Sequence, residues 1–269
     1  MLQAELCNKL VNPHKNMHLS EDLLTSNVFG ILKYLDNKRV LIDFIRSAIN
    51  QEGKTIKNIT GIVDWRYYFW PKFQNQIEPD LLIQGFRKKK LVVNLLVEAK
   101  YRSNKNIYQQ RGSLTGDQLA DELNSLLERE WSSPEIDKSR IKENYLVFIT
   151  NHFNIPLPDI VESNKLVKRY HQKQHRIYWT SWRNLPSIID DNAKQYTKGQ
   201  QEMLQDLKNL LNKKRINRTT LTYLPDTTPI GSNDNLQFFV SKQKKPTLTW
   251  NIDYENVDKF LMKGRHSDG

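Results

Sequence analysis

The sequence predicts an α/β fold: a mixed β-sheet with helices on both faces, followed by a C-terminal helix and a β-hairpin appendage. Three observations predict it. Two short apolar runs, Leu81-Leu82-Ile83 and Leu91 to Val97, flank the basic stretch Arg87-Lys88-Lys89-Lys90, as two buried strands joined in a hairpin would. Segments with apolar residues at helical spacing stand before and after this pair. The continuous apolar run Tyr145 to Thr150 comes after the second helical segment, far enough along to return as a parallel, centrally buried strand.

Residues 1–19 are polar and form a lead-in. Ser20 followed by Glu21-Asp22, and then by Leu23, Leu24, Val28, Phe29, Ile31, Leu32 and Leu35, gives an N-cap, an acidic first turn and an apolar stripe. A second stripe runs from Leu41 to Ile49. The aromatic run Ile62 to Trp70 is strongly β-prone and is stopped by Pro71; it predicts a strand beside the hairpin, with its rings in core and inter-strand packing. Asp117 to Leu127 is amphipathic. Beyond Thr150 the pattern predicts a helix from about Pro158 to Gln174, a strand at Ile177 to Thr180, and a helix from Gln195 to Lys214 with a Met203, Leu204, Leu207, Leu210, Leu211 stripe. Composition then shifts toward Thr, Asn and Pro. Phe238-Phe239-Val240 and Thr247 to Trp250 flank a basic turn, which predicts a second hairpin. The boundaries that follow are a main domain over 20–190, a helix within 191–218 and a β-rich appendage over 219–269.

The chain of 269 residues carries a formal net charge of +11. Such an excess of Lys and Arg neutralises phosphates and releases counterions, so the expected partner is a nucleic acid. The candidate basic contacts are Lys88, Lys89 and Lys90 at the hairpin turn, Arg102 and Lys105 after the second strand, and Lys168, Arg169 and Lys173 on the later helix. No stretch reaches the apolar length of a membrane span, so no membrane partner is expected. A single cysteine, Cys7, excludes an internal disulfide and suits a reducing cytoplasm. Gly53-Lys54-Thr55 is not a phosphate-binding loop, because Ala48 stands where that pattern needs glycine and the preceding segment reads as helix. His171 and His175 have a zinc-compatible spacing, but the cations between them favour a basic surface.

The hairpin carries the chemistry. With its turn centred on Lys89, Leu82 faces Leu96, Gln84 faces Asn94, and Asp80 lies opposite Glu98. Side chains alternate along a strand, so Glu98 and Lys100 project together and Ala99 points away. Directly opposed residues have Cβ atoms roughly 4.5–5.5 Å apart, and like charges so placed repel. One acid must then hold a proton, or a cation must lie between them. Oxygen ligands open to solvent suit Mg²⁺ or Mn²⁺. Lys100 is placed to orient an attacking water or to stabilise charge on a phosphate, which outlines a site for cleaving phosphodiesters.

Pro79-Asp80 followed by Glu98-Ala99-Lys100 resembles the PD-(D/E)XK nuclease superfamily. The resemblance covers about residues 20–150 and implies a restriction-endonuclease-like αβββαβ core. It implies one or two Mg²⁺ (or Mn²⁺) ions on Asp80, Glu98 and the backbone carbonyl of Ala99. Glu21 is implied as a possible further ligand, its other reading being simple complementation of the helix dipole. Lys100 then positions the nucleophile, and Gln118, near the start of the helix after the motif, assists. Leu23 to Gly30 is similar to the first helix of nuclease-fold proteins linked to restriction and defence. The implied activity is a metal-dependent DNA endonuclease, with RNA left open, acting as a homodimer or as the nuclease subunit of a restriction, phage-defence or transposition system. The alternative is a module that keeps this fold but binds nucleic acid or a partner without cutting.

Overall fold

The computed structural model describes residues 21–57, 59–101, 115–168 and 175–216. Contacts divide the chain after Thr220, and everything described lies in the first unit. The lead-in, the C-terminal hairpin, Arg102, Lys105, Arg169, His171 and Lys173 fall outside the described residues.

Five strands form one sheet in the order β1-β2-β3-β4-β5. They are β1 (Asp64–Phe69), β2 (Leu81–Arg87), β3 (Lys90–Ala99), β4 (Glu143–Thr150) and β5 (Ile177–Ser181). The first three are antiparallel to one another, while β4 and β5 run parallel to β3 and β4 respectively. The helices are α1 (Glu21–Tyr34), α2 (Arg39–Arg46), α3 (Gln118–Glu128), α4 (Leu157–Leu166), α5 (Leu185–Asn192) and α6 (Lys198–Lys213). The mixed sheet flanked by helices is the architecture that the sequence predicts.

Strand alternation sorts the core into two layers. Leu81, Ile83, Val93, Leu95, Val97, Val147 and Ile149 point to one face, where they meet Phe29 of α1, Phe44 of α2, Ile189 of α5 and Leu204, Leu207 and Leu211 of α6. Leu82, Leu96, Leu146 and Phe148 point to the other face and meet Leu119, Leu123 and Leu126 of α3 and Ile160 of α4. The helix set apart within 191–218 is therefore built into the main core. Trp65 and Tyr67 of β1 are also buried in it. The helix expected to reach Gln174 instead ends at Leu166, because Val167 takes an extended conformation that cannot carry it further. Among the described residues, no helix is long and apolar enough to cross a membrane.

The hairpin register matches the expectation: Leu82 pairs with Leu96 and Gln84 with Asn94. The turn itself is tighter. Arg87 pairs with Lys90, and Lys88 and Lys89 alone make the bend, both at positive φ (49° and 63°) as a type I′ turn requires. A register shift between Gly85 and Phe86 absorbs one extra residue and restores the longer pairing. Gly85 is needed there because the sheet is crowded. A Cβ on it would stand 2.7 Å from Val93 Cγ1 and 2.9 Å from Ile62 Cδ1. Gly85→Ala is expected to destabilise the protein by about 1–3 kcal/mol through overpacking, read as a lower urea midpoint at unchanged slope.

Toward the hairpin tip, the α3-facing side of the sheet carries a buried amide ladder. Gln84 donates to Asn94 (2.9 Å), and Asn94 donates to Asn144 (2.8 Å). Gln84 also exchanges hydrogen bonds with the backbone of Asp137, fixing the loop before β4. Amides that satisfy one another across three strands hold the register without charge.

Candidate active site

The same face changes character at its other end. Asp80 sits just before β2, and the register extended by one residue sets it opposite Glu98. Its backbone carbonyl accepts from Trp70 N (3.0 Å), and its Oδ2 accepts from Ala99 N (2.8 Å). Asp80, Glu98 and Lys100 are all buried. Glu98 Oε1 accepts from Lys100 Nζ and from Gln118 Nε2 (2.7 Å). Ala99 packs into the opposite core layer, as alternation requires.

Two elements complete the cluster. Glu21, the first residue of α1, accepts from Lys100 Nζ at 3.1 Å and from Tyr101 N at 2.9 Å. Its carboxylate thus reaches the motif strand as well as standing in the acidic first turn of its helix. Asp117 caps α3 by accepting from Ala120 N, and this sets Gln118 on the first turn facing Glu98. One turn later Glu122, also buried, accepts from Gln118 Nε2 through Oε1 at 2.9 Å.

The structure therefore brings Glu21, Asp80, Glu98, Lys100 and Gln118 together, and it adds Glu122. Sequence reasoning passed over Glu122 although a signal existed: it lies four residues after Gln118, one helical turn along the same side.

Charge in this pocket is unbalanced. Glu21, Asp80, Glu98 and Glu122 surround a single ammonium group among the described residues. Burial, followed by the charge of Glu98, holds Asp80 well above the usual carboxylate range, against the pull of Lys100 and the Ala99 N–H. Burial and then Glu122 do the same to Glu98. Burial pushes Glu122 up to about 8. Burial works to lower Lys100, but the negative Glu98 and Glu21 outweigh it and keep the ammonium charged. One lysine cannot neutralise four acids, so the pocket holds protons or another cation.

This gives stability a definite slope with pH. The Glu122 carboxyl titrates near 4.5 when unfolded and near 8 when folded, so between those values only the folded state keeps its proton. Stability is thus lost as pH rises through that window, by up to about 1.4 kcal/mol per pH unit for this group, and levels off above it. Urea melts in chelator from pH 5 to 8 measure the slope. Glu122→Gln is expected to make it shallower, the raised Asp80 and Glu98 keeping the remainder, and a wild-type curve that is already flat would contradict the buried-acid arrangement.

Of the expected nucleic-acid contacts, those among the described residues do not share this location. Lys88, Lys89 and Lys90 are exposed at the tip, the full length of β3 from the acids, which is about 30 Å at strand spacing. Lys168 lies after α4, where its ammonium pairs with Glu128 at 3.0 Å. At the acid end the cations are others. Lys214 lies over the Tyr101 ring, whose hydroxyl donates to the Lys214 carbonyl at 2.7 Å. Arg183 lies over the exposed Phe153 ring at 3.9 Å. His175, at the opposite end of β5, contacts Glu52 and Gln51. Among the described residues, no three His, Cys, Asp or Glu side chains are grouped so as to hold a metal ion.

The chain is 27% identical over 206 residues to an uncharacterized protein of Pasteurella multocida (strain Pm70), an alignment spanning 70% of this chain and 67% of the relative. No family model matches the chain. No solved structure matches it.

Proposed function

We propose that this protein is a metal-dependent nuclease of the PD-(D/E)XK type that hydrolyses phosphodiester bonds in DNA. One observation carries the reading: three buried carboxyl groups, with the half-buried Glu21 beside them, surround one ammonium at the open end of a β-hairpin among the described residues. Evolution rarely leaves such repulsion in a core unless it serves a site.

The donor set fits a hard divalent cation. Asp80, Glu98 and the Ala99 carbonyl would hold it, Glu21 standing near, since carboxylate and carbonyl oxygens are what Mg²⁺ and Mn²⁺ prefer. When bound, such an ion supplies Lewis acidity and lowers the pKa of water. The protein supplies the rest. Lys100, held charged by Glu98 and Glu21, donates to the attacking water or to a phosphate oxygen gaining charge. Gln118 fixes the rotamer of Glu98, and the Ala99 N–H fixes Asp80. Cleavage of both strands calls for two such sites, hence a homodimer or a partner protein. A role as the nuclease subunit of a prokaryotic restriction, phage-defence or transposition system fits these parts, and a reducing cytoplasm suits the single cysteine.

A second reading has its own observation. Lys100 already pairs with Glu98 and Glu21, and no three metal-binding side chains are grouped among the described residues. A non-cleaving module for nucleic acid or a partner would look like this, and its DNA binding would be sensitive to salt but indifferent to metal. Incubation with plasmid, linear duplex, single-stranded DNA and RNA, with Mg²⁺ and with chelator, separates the two. Cleavage restricted to Mg²⁺ or Mn²⁺ is expected, and its absence on every substrate with tight binding retained would leave the second reading.

A further inference from the structure

We infer that the acid site takes unpaired nucleic acid, whose bases stack on a platform of Phe153 and Arg183 at the C-terminal ends of β4 and β5. The inference rests on the nuclease reading and adds the form of substrate that the site takes. Phe153 lies three residues beyond β4 and is 62% exposed. A single exposed aromatic residue is ordinary on a protein surface. This one is built in. The Arg183 guanidinium lies over its ring at 3.9 Å, while Nε of the same side chain donates to the Asn151 carbonyl at 2.9 Å. Ser181, the last residue of β5, donates through Oγ to the His152 carbonyl at 2.6 Å and accepts from Arg183 N at 3.2 Å. The loop that carries the ring is thereby pinned to the neighbouring strand.

Its place in the fold is the second support. Lys100 N donates to the Ile149 carbonyl at 2.7 Å, and Thr150 pairs with Ser181. The motif strand, the Phe153 loop and Arg183 therefore stand at one end of the sheet, with β5 two strand spacings, about 10 Å, from β3. Contacts join them by a further route. Arg183 Nη1 reaches the Arg215 carbonyl at 3.5 Å, Lys214 lies over the Tyr101 ring at 5.1 Å, and Tyr101 follows Lys100. Arg183, Arg215 and Lys214 thus lie between the exposed ring and the acids. Cations along a backbone path beside an open aromatic face are how single strands are held. A duplex offers phosphates to the same cations but keeps its base faces inside its own stack.

Anisotropy of labelled oligo(dT) and oligo(rU), titrated with the full chain in chelator at low salt, tests the platform. Phe153 is largely exposed, so Phe153→Ala should melt as the wild type does. It is expected to bind at least one of the two strands about five- to 150-fold more weakly, the loss of one stacked base. Phe153→Trp should restore the affinity. A duplex of equal length and a strand of abasic residues should bind wild type and Phe153→Ala alike, since neither offers a base face.

Unchanged affinity for both single strands would overturn the platform. An equal loss on the duplex or on the abasic strand, or a tryptophan variant as weak as alanine, would overturn it too. Binding in chelator needs no cleavage, so the two readings fail separately. A stacking loss in a protein that cuts nothing keeps the platform and removes the nuclease. Mg²⁺-dependent cleavage, with Phe153→Ala binding as the wild type does, keeps the nuclease and removes the platform.

Discussion

Alanine at Asp80, Glu98 or Lys100 is expected to abolish DNA cleavage, each by about a thousandfold or more, as loss of a group acting in a concerted site does. The three variants differ in what they do to the fold, and this keeps the test interpretable. Asp80 accepts one hydrogen bond, from Ala99 N, and an amide oxygen can replace it, so Asp80→Asn should be inactive yet fold normally. Glu98→Gln likewise removes a buried acid without emptying its space. Lys100→Ala is another case, for it leaves buried carboxylates without their counter-charge and should cost about 3–5 kcal/mol. DNA binding in chelator, at low salt, should survive in the two amide variants. Cleavage that persists in both would overturn the assignment.

Outside the acid site, the largest effect on stability is expected at Trp182. Fully buried just after β5, its ring stacks on Phe44 (centroids 5.9 Å apart) and lies tilted against Phe29 (6.1 Å). It thereby joins α1 and α2 to the end of the sheet. Trp182→Ala should cost about 3–5 kcal/mol, a fall of roughly 10 °C in Tm for a domain of this size. Trp182→Phe is the control. Its indole N–H is buried without an acceptor, so the smaller ring gives up area but sheds an unpaired donor. The phenylalanine variant should therefore melt much nearer the wild type than the alanine variant. Equal losses in the two would mean that the indole N–H has a partner of its own.

Much of this was legible before any coordinates, and the reasons are local. The pairing of Leu82 with Leu96 and of Gln84 with Asn94 follows from two apolar runs of similar length around one basic turn, because a slip of a single residue would turn their buried faces outward. The turn type was hidden, since Lys88 and Lys89 take left-handed conformations that normally announce themselves through Gly or Asn. Helix α6 looked separable because its stripe follows a loop, but burial of Leu204, Leu207 and Leu211 against α1 is a tertiary choice that its own periodicity cannot encode. Glu122 was obscured for a related reason. Every residue of α3 from Leu119 to Leu126 is buried, polar ones included, so the amphipathic pattern by which an exposed acid is usually told from a functional one does not apply there.

The tip of the hairpin and its acid-lined mouth lie at opposite poles of the same two strands. A duplex rises 3.4 Å per base pair, so the separation corresponds to about nine base pairs. Should Lys88 and Lys89 grip a backbone while the acids work on it, the hairpin acts as a ruler, and oligonucleotides shorter than about one helical turn reach the mouth without the handle.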